Sequence, residues 1–385
     1  MKRWLLSLVV VFVGTRAQAR TLPEEPPVDF GEALRTLAIV AACFEGPVPE
    51  RFDAAAVHKH CAAMKVIFDD YEQRWATPAR PFFANLVPKD IPKTVIYPFG
   101  GADLMTALAV YPDLNEITSV SLEAGGDPRS ILRTDPSSVM KHLALHRRFL
   151  ARLVEYNHSR TLDLSLLKGT PLPSQMIFAL VGLKMHGYEP LGLRAVRLSP
   201  EGKVLYFGAS DVAAADAAVE AVKGSLRNRR LNDAFAGYEL SFRKKGRDVV
   251  QTYRHFQANL VNDELAKDDR ILKHLGSKGP VAAITKAASY LLWWGNFKTM
   301  RDFLLSKVTW MVSDSTGPNP MHLDPKAWEQ TVYGTFSGTF IKSSYEGIEA
   351  LQALYKAQPK RPLPFDYFGY PDNHKHGHLV VTRKR

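Results

Sequence analysis

Two stretches of this chain, Thr94–Glu123 and Pro280–Asp314, each read as strand, helix and strand, and that succession restricts the fold more than any other feature. In the first, "TVIY" is a short apolar run, "ADLMTALAVY" has helical periodicity and "EITSVSLE" alternates as a second strand. In the second, "GPVAAITKAASYLLW" reads as strand into helix, "NFKTMRDFLLSK" as helix and "VTWMVSD" as strand. Between them, "LGLRAVRLSPEGKVLYFGA" and "YELSFRKKGRDVVQTYRHFQ" alternate around turn residues and predict antiparallel hairpins. "DPSSVMKHLALHRRFLARLVEYN" predicts a long basic helix with a capping start, and "SQMIFALVGLKMHG" an apolar helix stopped at Gly187. The expected class is α/β: a mixed sheet with Rossmann-like strand–helix–strand units and antiparallel hairpins, its faces covered by helices.

The chain has 385 residues, 46% hydrophobic and 23% charged, an ordinary globular balance with ample apolar surface to bury. Residues 1–19 carry Lys2 and Arg3, the apolar run "WLLSLVVVFVG" and the small residues "AQA" at Ala17–Ala19. That order predicts a cleaved signal peptide, and an apolar run too short to span a bilayer. The mature chain is therefore expected to be soluble and exported, periplasmic or extracellular, with no transmembrane segment. Residues 20–90 follow as an extended lead and a helical hairpin subdomain, "EALRTLAIVAACF" and "FDAAAVHKHCAAMKVIF" joined by "EGPVPER". Cys43 and Cys61 lie on its two arms, and an oxidising compartment favours a disulfide over two buried thiols. Residues 91–322 form the expected α/β domain, and 323–385 a Pro-, Gly- and aromatic-rich extension with little regular pattern.

The formal charge is +11, and loss of Lys2, Arg3 and Arg16 with the leader leaves 11 − 3 = +8. Such an excess suits anionic envelope polymers or protein partners, and export argues against nucleic acid. The dense basic clusters are Arg227–Arg230 and Phe242–Arg247, each read as a solvated turn before a binding stripe.

Ligands of open α/β sheets bind beyond the carboxyl ends of the strands. Three loops are expected there: "YPFGGAD", "LEAGGDP" and "SDSTGP". The candidate ligand-binding residues are Tyr97, Gly100, Gly101, Asp103, Glu123 and Asp314. Gly100 and Gly101 permit close backbone approach, and Asp103 falls at a helix start, where a carboxylate caps free amides. Glu123, Asp103 and Asp314 would form one carboxylate cluster if their strands are neighbours. Lys286 and Ser289 stand one helical turn apart, yet no nucleophile elbow accompanies them, and a packing role is the stronger reading. His142 and His146 stand at i and i+4, but no glutamate follows the first as a zincin helix requires; His374, His376 and His378 alternate in what reads as an exposed turn, so no metal is assigned.

The "YPFGGAD…SLEAGG" stretch is similar to the start of Rossmann-like methyltransferases, although it lacks G-x-G-x-x-G and Pro98 removes an amide donor. Across Thr94–Tyr370, the segments "YPFGGADL", "SLEAGG", "TKAASYLLW", "SDSTGP" and "RPLPFDYFGY" resemble a group of uncharacterised secreted bacterial proteins. Ala124, Ser313 and Thr316 depart from that group's pattern. The resemblance implies a shared fold and export, and it carries no activity, cofactor or catalytic residue. Three functions remain open: an exported protein binding a ligand, polymer or envelope partner; a Rossmann-like enzyme, in the limit a degenerate methyltransferase; and a structural envelope component.

Overall fold

The computed structural model describes residues 25–156, 164, 166, 167, 169–336, 346–365 and 377–385. The expected leader at 1–19, His374 and His376 lie outside the described residues. Ten strands join one sheet in the order β4-β3-β5-β6-β2-β1-β7-β8-β10-β9. The centre is parallel: β1 (Thr94–Pro98) lies between β2 (Glu116–Ser121) and β7 (Val281–Thr285), with β6 (Val250–Gln257) beyond β2 and β8 (Val308–Ser313) beyond β7. Antiparallel pairing takes over on both flanks. On one side, β3 (Tyr188–Leu198) pairs with β4 (Val204–Tyr206) and with β5 (Gly237–Lys244), which pairs with β6. These are the two hairpins anticipated from the sequence.

The strands are apolar on both faces because both faces are covered. Val95 and Tyr97 of β1 join the core cluster that holds the helices Gly31–Thr36 (α1), Ala54–Tyr71 (α2), Thr77–Leu86 (α3) and Leu104–Val110 (α4). Ile96 points the other way, into a second cluster with Met300 and Leu304 of the helix Lys298–Lys307. Period-two alternation thus feeds two separate cores from one strand. The helical N-terminal region is present, and its apolar face is continuous with the sheet's core.

A disulfide joins Cys43 to Cys61, with Cα atoms 5.4 Å apart, and ties the end of α1's extension to α2. Asp135 caps the helix Pro136–Tyr156, accepting from Ser138 N at 2.9 Å, as "DPSS" predicted. No helix among the described residues is long and apolar enough to cross a membrane.

The tail differs from expectation. Trp328–Gly334 forms β9 and His378–Lys384 forms β10, and β10 pairs antiparallel with both β8 and β9. Phe365 is buried against Trp75, Phe82 and Phe83, so residues 361–365 close over the N-terminal helices. The pattern was hidden because each strand finds its partners only through long-range pairing, with no local turn to mark it.

Candidate functional site at the strand carboxyl ends

From β1 the chain crosses over α4 to β2, and from β7 it crosses over Lys298–Lys307 to β8, so the two connections leave in opposite directions. They also run over opposite faces, as two crossovers of the same hand must. The gap between the carboxyl ends of β1 and β7 is therefore a topological switch point, the place where open α/β sheets hold ligands.

Three loops meet there. Asp103 follows β1 and caps α4, its Oδ1 accepting from Thr106 N at 3.0 Å. Lys286 follows β7, and its Nζ lies 2.6 Å from Asp103 Oδ2 and 3.4 Å from Asp314 Oδ2, the residue after β8. Nζ also donates to Thr106 Oγ1 at 2.9 Å, and Tyr97 OH donates to Asp103 Oδ2 at 3.2 Å. Asp103, Lys286 and Asp314 are buried. Two carboxylates around one ammonium leave an excess negative charge out of water. Asp314 absorbs it: burial pushes its carboxyl up to about 7, against the pull of Lys286 and with a further push from Asp103. Burial, then Asp103 and Asp314, hold the Tyr97 phenol well above its ordinary value. Next in sequence to Lys286 and Asp314, the hydroxyls of Thr285 and Ser315 are buried without a hydrogen-bond partner.

The loop after β8 is shaped by Ser289. Its Oγ accepts from Thr316 N and Gly317 N, both at 3.1 Å, and bonds Thr316 Oγ1 at 2.8 Å. Ser289 and Lys286 thus divide their work: the serine clasps the 314–317 loop, and the lysine joins the carboxylates. Serine–lysine nucleophilic chemistry has no support in that arrangement.

The glycine pair has a steric reason. A Cβ on Gly100 would fall 2.4 Å from Ser119 Oγ and 3.0 Å from the Tyr97 ring, because Gly100 N reaches across to Val120 O. Gly101 has φ +53°, and Phe99 before it adopts φ +58° with its ring edge-on to Phe297. A bulky residue in the left-handed region is strained, and such strain gathers at sites held for a purpose.

Of the residues expected at the site, Tyr97, Asp103 and Asp314 come together, with Gly100 and Gly101 in the adjoining loop. Asp103 and Asp314 meet although β7 separates their strands, because Lys286 on that strand bridges them. Glu123 does not join them. It is buried in a separate cavity with Gln175 and Asp233, since its loop is held towards Phe235 and Ala236 by Gly125 N and Gly126 N. Lys286 is the residue that sequence reading undervalued; the signal was a lysine set directly after the apolar run "VAAI" and Thr285, a strand buried throughout.

His146 and His378 are structural in this setting. His146 bonds His142 O at 2.7 Å and Ser174 Oγ at 2.8 Å, and His378 is buried in β10 rather than in an exposed turn. No group of three metal-ligating side chains occurs among the described residues. The basic cluster Phe242–Arg247 is engaged internally: Arg243 pairs with Glu189 and Arg247 with Asp113. No family model, curated protein or solved structure matches the chain.

Proposed function

We propose that this is an exported α/β protein that binds a small ligand in the crevice at the carboxyl ends of β1, β7 and β8, with Asp314 exchanging a proton with that ligand. The supporting observation is the Lys286 bridge between Asp103 and Asp314 at the switch point. A carboxyl held at about 7 changes protonation near neutrality, which is what a general acid or base requires. Lys286, itself paired with Asp103, holds it in place. This favours the enzyme reading over a purely structural envelope role. Export is supported by the leader sequence and the disulfide.

The test is a thermal-shift screen of nucleotides, adenosyl compounds, small carboxylic acids and amines, run at pH 6 and pH 8 on wild type, Asp314→Asn and Asp103→Asn. A ligand whose stabilisation depends on pH in wild type and vanishes in Asp314→Asn is expected. Stabilising ligands indifferent to both substitutions, or none at all, overturn the proposal. For export, the secreted chain should begin at Arg20; an intact leader on the secreted product contradicts it.

A further inference from the structure

The cavity beside the carboxyl end of β2 belongs to neither the triad nor the crevice. Its volume is about 50 Å³, and Glu123, Gln175 and the leucines at 164, 167 and 172 contribute to its wall. Glu123 is 7% exposed and Gln175 3%, yet Glu123 Oε1 and Gln175 Oε1 are both buried without a hydrogen-bond partner. Two buried acceptors without donors, one of them acidic, are costly unless something supplies N–H or O–H groups.

The other interior polar groups of the wall are already engaged. Ser174 Oγ bonds His146, Asn232 Oδ1 accepts from Asp127 N, and Gln257 Nε2 donates to Leu122 O. Arg229 and Asp233 are exposed, so among the described residues the cavity's mouth carries one charge of each sign and its interior only the carboxyl of Glu123. The Glu123 main chain is pinned: its carbonyl accepts from His255 Nε2 at 2.8 Å, and His255 stacks on Tyr238, whose OH donates to Gln175 O. The main chains of both residues are therefore held by one connected framework before any ligand arrives.

We propose that this cavity binds a short primary ammonium group, with Glu123 and Gln175 accepting its N–H bonds and the leucines meeting its carbon atoms. An ammonium is donor-only, which suits the two unpaired acceptors, and the charge of Glu123 offsets its own. The small volume admits a head of a few heavy atoms and excludes a quaternary ammonium, which also has no N–H to give.

The experiment measures melting temperature and calorimetric binding with methylammonium and ethylammonium chloride, against tetramethylammonium, sodium and magnesium chloride at equal ionic strength. Wild type should be stabilised saturably by the primary amines alone. Glu123→Gln keeps the shape and should fold, as circular dichroism will show, while its affinity falls about tenfold or more. Asp69→Asn, on the exposed surface of α2, should bind as wild type does. Equal response to tetramethylammonium, a response to magnesium instead, unchanged affinity in Glu123→Gln, or no binding at all would overturn the assignment.

Discussion

Lys286 Nζ stands 2.6 Å from Asp103 Oδ2, with 5% of one side chain and 3% of the other open to solvent. A buried pair of this kind adds little over an apolar replacement, but removing one partner leaves a charge stranded. Lys286→Met should therefore cost about 3–5 kcal/mol in urea unfolding. The double variant Asp103→Asn/Lys286→Met should recover part of that loss. A Lys286→Met protein as stable as wild type would show that the bridge holds nothing together.

Asp314 gives stability an unusual pH dependence. Its folded value, about 7, lies above its ordinary 3.8, so the folded state binds this proton more tightly than the unfolded chain. The contribution is complete below pH 3.8 and is lost as pH rises through 7. Asp314→Asn removes that loss. Relative to wild type, the variant should gain stability between pH 5 and pH 8.5; parallel unfolding curves across that range would contradict it.

Four buried imidazoles act in the opposite sense. Burial lowers His146, His255 and His274 to about 4 and His186 to about 3, from an ordinary 6.5. Their contribution is complete above 6.5 and is lost as pH falls through those values. Ring resonances followed by NMR should stay those of neutral imidazole down to pH 5. Titration of these four rings near 6.5 would count against their burial.

Opening the Cys43–Cys61 bond should cost about 3 kcal/mol, given its sequence separation of 18. Thermal unfolding of Cys43→Ala/Cys61→Ala beside wild type, each with and without reductant, measures it. Reductant should move only the wild type.

Gly100→Ala should cost about 1–3 kcal/mol by overpacking against Ser119. Adding Ser119→Ala removes the nearer obstacle and should restore part of the loss, although the Tyr97 carbonyl stays 3.1 Å from the new Cβ. A single variant as stable as wild type would mean that the loop yields freely.

The parts legible in the sequence are those specified locally. β1, α4 and β2 announce themselves through an apolar run, a turn and a capping aspartate, and β3–β4 and β5–β6 through their hairpin turns. What escaped depended on distant neighbours. Lys286 resembles an ordinary helix-start lysine until loops from residues 103 and 314 bring it two carboxylates. Glu123 has the sequence position of a site residue beside Asp103, yet hydrogen bonds to Phe235 and Ala236, more than a hundred residues away, turn its loop into another cavity. The strands "WEQTVYG" and "HLVVTRK" gain meaning only through pairing with each other and, for the second, with β8.

The place of β10 bears on how the molecule is assembled. β10 is wedged between β8 and β9, and among the described residues β9 joins the sheet through β10 alone. The central strands can pair with one another in its absence, but this flank cannot close until residues 378–384 are in place. Until then β8 offers an open edge to whatever lies nearby, beside the loop that carries Asp314.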